Sequence, residues 1–277
     1  MTDLALLLPP LAAGLLALFS HVPLGRQVLR RGIVFIDLAI AQVASLGVLA
    51  GQYLAHRLYH LHDDALHGAH HHAAHAHDAP GWLLALSAAA AALVGAAIVA
   101  ALARAWPRQQ EALIGLLYVG AASLAVVALS ADPHGAHRLA ALLSGDVLWV
   151  TWADLLPLAG ATALFLALLR WRPGLLAHSA VFYGSFALLV SLSLPLLGLY
   201  LVFATLIVPA VVAQWQPRHP VRHALAVGAL GYAGGLLLSW YLDWPSGPAI
   251  VLLLIALGLA WMVRSRSRAR RPADNGP

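Results

Sequence analysis

The chain has 277 residues, of which 61% are hydrophobic and only 10% charged, against roughly 25% charged in an ordinary soluble domain. So little polar surface excludes a water-soluble globule, and the apolar residues fall into blocks of about 20, the length of helix that crosses a ~30 Å hydrocarbon layer. The formal net charge of +5 comes from sixteen arginines with no lysine; they lie in short clusters between apolar blocks, as topology signals do, which argues against a nucleic-acid surface.

In chain order, the first apolar block covers residues 4–20. It has no basic region before it and is read as a retained span rather than a cleaved signal peptide. Further blocks cover 33–55, 81–103, 112–131, 150–169, 176–195, 198–213, 223–241 and 248–263. The seventh is short and flanked by Pro195 and Pro209, which predicts a broken or re-entrant element, tolerated where protein surrounds it. The expected fold is therefore all-α and polytopic, with eight or nine transmembrane helices. Residues 1–263 form one membrane domain, and residues 264–277 an arginine-rich cytoplasmic tail, read as disordered.

Arginine near span ends marks the cytoplasmic side. The first, third, fifth and seventh loops and the tail hold fourteen arginines, and the alternate loops hold two, Arg57 and Arg138. The N-terminus is then outside for nine crossings, and the second loop is outside as well. Trp149, Trp152, Trp171, Trp215, Trp240 and Trp244 fall near block ends, where an amphipathic ring suits the headgroup layer.

That second loop, residues 56–80, holds nine of the fifteen histidines. His60, His62, Asp63, Asp64, His67, His70, His71, His72, His75 and His77 are the candidate metal ligands, since imidazole and carboxylate are the nitrogen and oxygen donors of zinc sites. Their irregular spacing fits a flexible collector of ions better than one tetrahedral site, and a solvated low-complexity loop is the plainer alternative. Such a tract separates zinc poorly from nickel or copper.

Asp37 lies inside the second block, in Ile36-Asp37-Leu38-Ala39-Ile40-Ala41-Gln42. A carboxylate within a span is costly, faces the bundle interior or a watery path, and marks function by default. The competing reading places it near enough to the cytoplasmic end to be solvated or paired with Arg30 or Arg31. Gln42, five residues on, lies about 140° round the helix from Asp37 and is the second candidate for the path. Asp132, Asp146, Asp154 and Asp243 are expected at solvated helix ends, and Glu111, the sole glutamate, in the first turn of a helix, where the macrodipole favours it. Gly228, Gly231, Gly234 and Gly235 form a small-residue face for close helix packing.

Five stretches in order, Leu29-Arg30-Arg31-Gly32 leading to Asp37, Ala112 to Tyr118, Gly145 to Val150, Gly198 to Ala210, and Asp243 to Pro248, together resemble the permease subunits of zinc and manganese ABC importers. The resemblance implies a fold similar to the cobalamin and iron-chelate (type II) permeases and a homodimer around a central path. It also implies a cytoplasmic ATP-binding subunit, an extracytoplasmic metal-binding protein, and a place in the bacterial inner membrane. The cargo would be a divalent transition metal, zinc first, with no permanently bound cofactor and no enzymatic step. Two departures stand out. Many members carry His four residues after the aspartate, where this chain has Ala41, and the loop after the fifth block, Arg170 to His178, lacks the family's longer acidic docking segment.

A secondary metal carrier would also show many spans and a His-rich loop, yet no block here pairs His with an acid one turn apart. An intramembrane metalloprotease would need His-Glu-x-x-His, which is absent. Cysteine is absent too, removing disulfides and thiolate ligands. Without lysine there is no Gly-x-x-x-x-Gly-Lys loop to hold nucleotide phosphates. The purified chain alone is therefore expected to show no ATP hydrolysis above background in a phosphate-release assay; activity without a second subunit would contradict the reading.

Overall fold

The structure, a computed structural model, describes residues 4–66, 80–107, 110–129, 145, 147–215 and 218–269. Among them are nine α-helices: α1 (Leu8–Arg31), α2 (Ile36–Leu66), α3 (Gly81–Ala105), α4 (Gln110–Leu129), α5 (Leu155–Trp171), α6 (Ser179–Leu197), α7 (Leu199–Gln214), α8 (Pro220–Leu242) and α9 (Ser246–Ala269). Short 3-10 turns stand at Leu4–Leu7, Val147–Trp149 and Leu175–Ala177. Six helices are long and apolar enough to cross a membrane, and the apolar helices within α4, α5 and α7 are shorter.

The helices begin and end where the sequence supplies the chemistry. Prolines occupy the first turn of α1, where an N–H has no helical partner to lose. Gly32 stops α1 in the left-handed conformation, its N–H bonding the carbonyl of Val28. Between α6 and α7 a single residue, Gly198, turns the chain at φ 76° and ψ 164°, a region essentially reserved for glycine.

Three expectations change. The seventh block is one unbroken helix: Pro209 lies inside α7 and Pro195 inside α6, because each proline removes one backbone bond without stopping the apolar packing on both sides. The His-rich segment is not all loop, since the backbone of α2 stays helical through Leu66. Between Gly51 and Gly68 no glycine or proline interrupts it. The arginine tail likewise begins as helix, for α9 runs to Ala269. Arginine is a good helix former, and its charge suits a C-terminus.

α1 is the centre of the bundle, packing on α5, α6, α7 and α8. On one side α2 packs on α3 and α4; on the other α7, α8 and α9 pack on one another; α6 joins the halves through α3 and α1. The closest approaches use glycine. A Cβ on Gly14 would strike the ring of Tyr232, one on Gly228 the side chain of Leu18, and one on Gly25 the backbone carbonyl of Leu206. Gly231, Gly234 and Gly235 meet Leu254, Leu253 and Ile250 of α9 in the same way, so the expected small-residue face is divided between two neighbours.

These contacts also orient the helices. Gly14 beside Tyr232 and Leu18 beside Gly228 make α8 antiparallel to α1, and Gly231 beside Leu254 with Gly235 beside Ile250 makes α9 antiparallel to α8. Hydrogen bonds from Arg31 to the α5–α6 loop, and from Gln110 to the carbonyl of Arg31, bring those segments to the same end. Arg26, Arg30, Arg31, Arg104, Arg170, Arg172, Arg222 and Arg264 thus gather at one end of the bundle. Leu116, Val127, Leu164, Leu230, Leu252 and Leu259 are more than half exposed on its outside, a surface for lipid rather than water. All six boundary tryptophans are exposed too.

Replacing Gly25 with Val is expected to destabilise the fold by about 1–3 kcal/mol, the usual range for overpacking, because the Leu206 carbonyl belongs to helix backbone and cannot swing aside. Gly184→Ala, where nothing lies within 4 Å of the added carbon, should leave thermal unfolding in detergent unchanged. Equal melting of both variants would refute the close-packing assignment.

Candidate functional site

Asp37 occupies the first turn of α2 and is 1% exposed. Neither carboxylate oxygen has a hydrogen-bond partner among the described residues; the amides of Asp37 and Leu38, at the start of its own helix, are the backbone donors on that side. The helix N-terminus still supplies a favourable dipole. Pairing with Arg31 does not occur. That guanidinium turns the other way, Nη2 donating to the carbonyls of Leu176 (3.0 Å) and Ala177 (3.1 Å) and Nη1 to Ser179 Oγ (3.3 Å), and it stacks 4.5 Å from the Phe182 ring centre.

Gln42 is buried on the same helix, as is Ser45, whose hydroxyl donates to the carbonyl of Ala41 (2.9 Å). Ala41 is fully buried and stands about 40° round the helix from Asp37, on the same face. The place where the family resemblance calls for imidazole is therefore an apolar contact. His60, His62, Asp63 and Asp64 lie on the final helical turns of α2, while His67, His70, His71, His72, His75 and His77 lie outside the described residues. Among the described residues no three of His, Cys, Asp or Glu converge.

One buried polar group escaped the sequence reading. His21 is 0% exposed, its Nδ1 2.9 Å from the carbonyl of Ala17 and 3.0 Å from Ser20 Oγ, and its Nε2 has no partner. The sequence reading ends the first apolar block at Ser20, whereas α1 continues through Pro23 and Gly25 to Arg31. An unbroken apolar count across Pro23 would have placed this imidazole inside a span. It stands about 15 Å along α1 from the Arg31 end, within some 40° of Gly14 and Gly25. It therefore faces the α7–α8 side, where Thr205 Oγ1 and Tyr232 Oη share a 2.6 Å hydrogen bond. Asp37 starts α2 beside α3 and α4, so His21 and Asp37 belong to different layers and heights.

The arginine-rich end is braced around Arg31. Besides its own bonds, Gln27 Nε2 donates to the carbonyl of Leu176 (3.2 Å), Gln110 Nε2 to that of Arg31 (3.2 Å), and the Val34 N–H to Glu111 Oε1 (3.2 Å). Glu111 does sit in the first turn of α4, and it also ties down the α1–α2 loop. The short α5–α6 loop, which carries the 3-10 turn Leu175–Ala177, is thus held to the end of the central helix. Asp154 stands at the start of α5, its Oδ2 accepting from the Thr151 hydroxyl (2.7 Å) and amide (2.9 Å), a solvated helix end as expected.

Apolar helices with an apolar exterior, a buried unpaired carboxylate and one braced, arginine-bearing end define a polytopic membrane transport protein. The chain belongs to the ABC 3 transport family, the permeases of metal-importing ATP-binding-cassette systems, which it matches over residues 5–181 and 175–265. It is 26% identical over 164 residues to the High-affinity zinc uptake system membrane protein ZnuB of Buchnera aphidicola, an alignment spanning 51% of this chain and 63% of that protein. It is 23% identical over 273 residues to the protein of the same name from Haemophilus influenzae, covering 89% of this chain and 93% of the other. Its fold is similar to that of PsaBC from Streptococcus pneumoniae, solved in complex with Fab, with a TM-score of 0.65 at 19% identity over 91% of this chain and 89% of that one.

Arg31→Gln removes the guanidinium from three acceptors at once. Amide hydrogen exchange across Arg172–His178 is expected to quicken by roughly tenfold or more, on the scale of a lost charged hydrogen bond, with the first turns of α5 unaffected. Unchanged exchange in that loop would show that Arg31 does not hold it.

Proposed function

We propose that this chain is the membrane-spanning subunit of an importer for a divalent transition metal, zinc before manganese or iron, in a bacterial inner membrane. Two copies enclose the path, a cytoplasmic ATP-binding subunit works beneath each, and an extracytoplasmic metal-binding protein delivers the ion. Family membership supports the transport role. The names of two relatives support zinc, and the fold likeness to PsaBC supports a permease architecture. The gathering of arginines at one end of the bundle supports placing the N-terminus and the His-rich segment on the outer side.

The observation that carries the path assignment is the buried, unpartnered carboxylate of Asp37. A carboxylate that makes no regular hydrogen bond in an apolar bundle costs stability and is kept where a cation needs it. With Ala41 in place of an imidazole, one protomer offers a single strong ligand, short of the four of a structural zinc site. Weak, transient coordination suits an ion that must leave. In the homodimer two such carboxylates would share the cargo.

Alternating access follows from differential binding: the loaded delivery protein and nucleotide each favour one state of the dimer. The braced 3-10 turn at Leu175–Ala177 is the contact through which an ATPase would pull on α1, replacing the longer docking segment that this chain lacks.

Asp37→Asn should abolish or strongly reduce uptake of labelled zinc by the reconstituted complex while leaving assembly intact. Deleting residues 62–77 should lower uptake mainly when metal is scarce, since a histidine tract raises the local ion concentration without forming the path. Normal transport by Asp37→Asn together with complete loss in the deletion would move the essential site to the histidine tract, and a metal panel led by manganese would replace zinc as cargo.

A further inference from the structure

Beside the brace, the arginine-bearing end holds a second feature that transport of metal does not use. A slot of about 550 Å³ opens between α8 and α9. Its walls include Ala226, Val227 and Leu230 from α8 and Leu257 and Trp261 from α9, with Arg264 lining the same space. Leu230 is 62% exposed, so the slot opens on the outside of the bundle.

Its charge is one-sided. Arg222 precedes Ala226 by one turn on the same face of α8, about 40° away, and is exposed. Arg264 follows Trp261 on α9 and is exposed as well. Neither α8 nor α9 contains an aspartate or glutamate, and among the described residues no ion pair engages either guanidinium. Acceptors are also scarce: the Trp261 Nε1–H is buried with no partner among the described residues, under a His223 ring whose centre lies 5.2 Å from that of the indole. His223 Nδ1 is already used, 3.0 Å from the carbonyl of His219.

The slot is thus mostly apolar, with Arg264 lining it and Arg222 one helical turn beyond Ala226 at the end where the arginines gather. That polarity fits one class of occupant: an acyl chain lying between two helices, with a phosphodiester held by two guanidiniums at headgroup depth. Basic pockets between helices at the cytoplasmic face select anionic headgroups, because the positive field adds to the attraction for phosphate. A second protein chain would need a matching acidic and apolar surface, whereas the bilayer supplies anionic lipid at this depth without further recognition.

We propose that the slot between the arginine-bearing ends of α8 and α9, lined by Ala226, Leu230, Leu257 and Trp261 and closed by Arg222 and Arg264, binds an anionic phospholipid of the adjoining leaflet. The lipid ties the two helices together at the end where the family's ATPase acts.

The test is thermal unfolding of the full chain, purified in nonionic detergent and freed of lipid, with phosphatidylglycerol, phosphatidylcholine or inorganic phosphate added. Phosphatidylglycerol should raise the melting temperature well beyond phosphatidylcholine, and inorganic phosphate should not. The double variant Arg222→Gln, Arg264→Gln should lose most of the difference between the two lipids while melting normally in phosphatidylcholine. Ala226→Trp, which fills the slot and keeps both arginines, should lose it as well. If Ala226→Trp fails to fold, which its melting in phosphatidylcholine reports, the arginine pair decides alone. Equal shifts from both lipids, or a double variant that responds like the parent, overturn the proposal. A shift reproduced by inorganic phosphate makes this a site for free anions. Conversion of an oligomer to monomer by Ala226→Trp makes it an interface between copies.

Discussion

Helices in lipid gain nothing by hiding apolar surface from their surroundings, because acyl chains are as apolar as leucine side chains. What holds them is close fit, and here the fit depends on α1. Gly14, Gly25 and Gly228 let its backbone approach α7 and α8 until Tyr232, Leu18 and the Leu206 carbonyl fill the space that side chains would need. From that docking follow the antiparallel order of α8 and α9, the burial of His21, and the position of Arg31. The fully buried Tyr232 stays satisfied because its hydroxyl meets Thr205 across the same contact. A polar pair that bridges two helices in this way adds specificity to a contact which apolar packing alone would leave free to slide.

The end of α1 converts that packing into a mechanical element. Arg31 and Gln27 grip the carbonyls of Leu176 and Ala177, so the α5–α6 loop moves with the central helix or not at all. In the proposed importer this matters because an ATPase acts on loops, whereas the ion passes between helices. Glu111, bonded to the Val34 amide, holds the α1–α2 loop against α4, and that loop leads within a few residues to Asp37. The braced end and the unpaired carboxylate are therefore neighbours in the chain, which shortens the route from a pull on the loops to a change around the ion.

Cost also separates Asp37 from His21. Among the described residues neither oxygen of Asp37 has a hydrogen-bond partner, while His21 keeps one nitrogen bonded and needs no charge to remain buried. A neutral imidazole with a single idle nitrogen is an ordinary part of a core, and a carboxylate with none of its bonds made is not. For this reason Asp37 is the residue proposed for the path, and His21 belongs with the packing around Tyr232 and Thr205.

Sequence alone determined the class of fold, because 61% hydrophobic residues in blocks of about 20 leave a helical membrane bundle as the arrangement that satisfies the backbone. It also placed Asp37 and Gln42 inside the bundle, where both are buried, and gave the arginine asymmetry that the folded chain collects at one end. Helix limits were less legible. Pro195 and Pro209 read as marks of a broken element and are not, since tertiary packing on both sides of a proline outweighs one missing hydrogen bond, and ending the first block at Ser20 hid His21. Only the tertiary structure decided which polar groups find partners. Arg31 chose Leu176 and Ala177, about 145 residues away, over Asp37, six residues away, because side chains choose partners by direction in space, and the left-handed turn at Gly32 points the two apart.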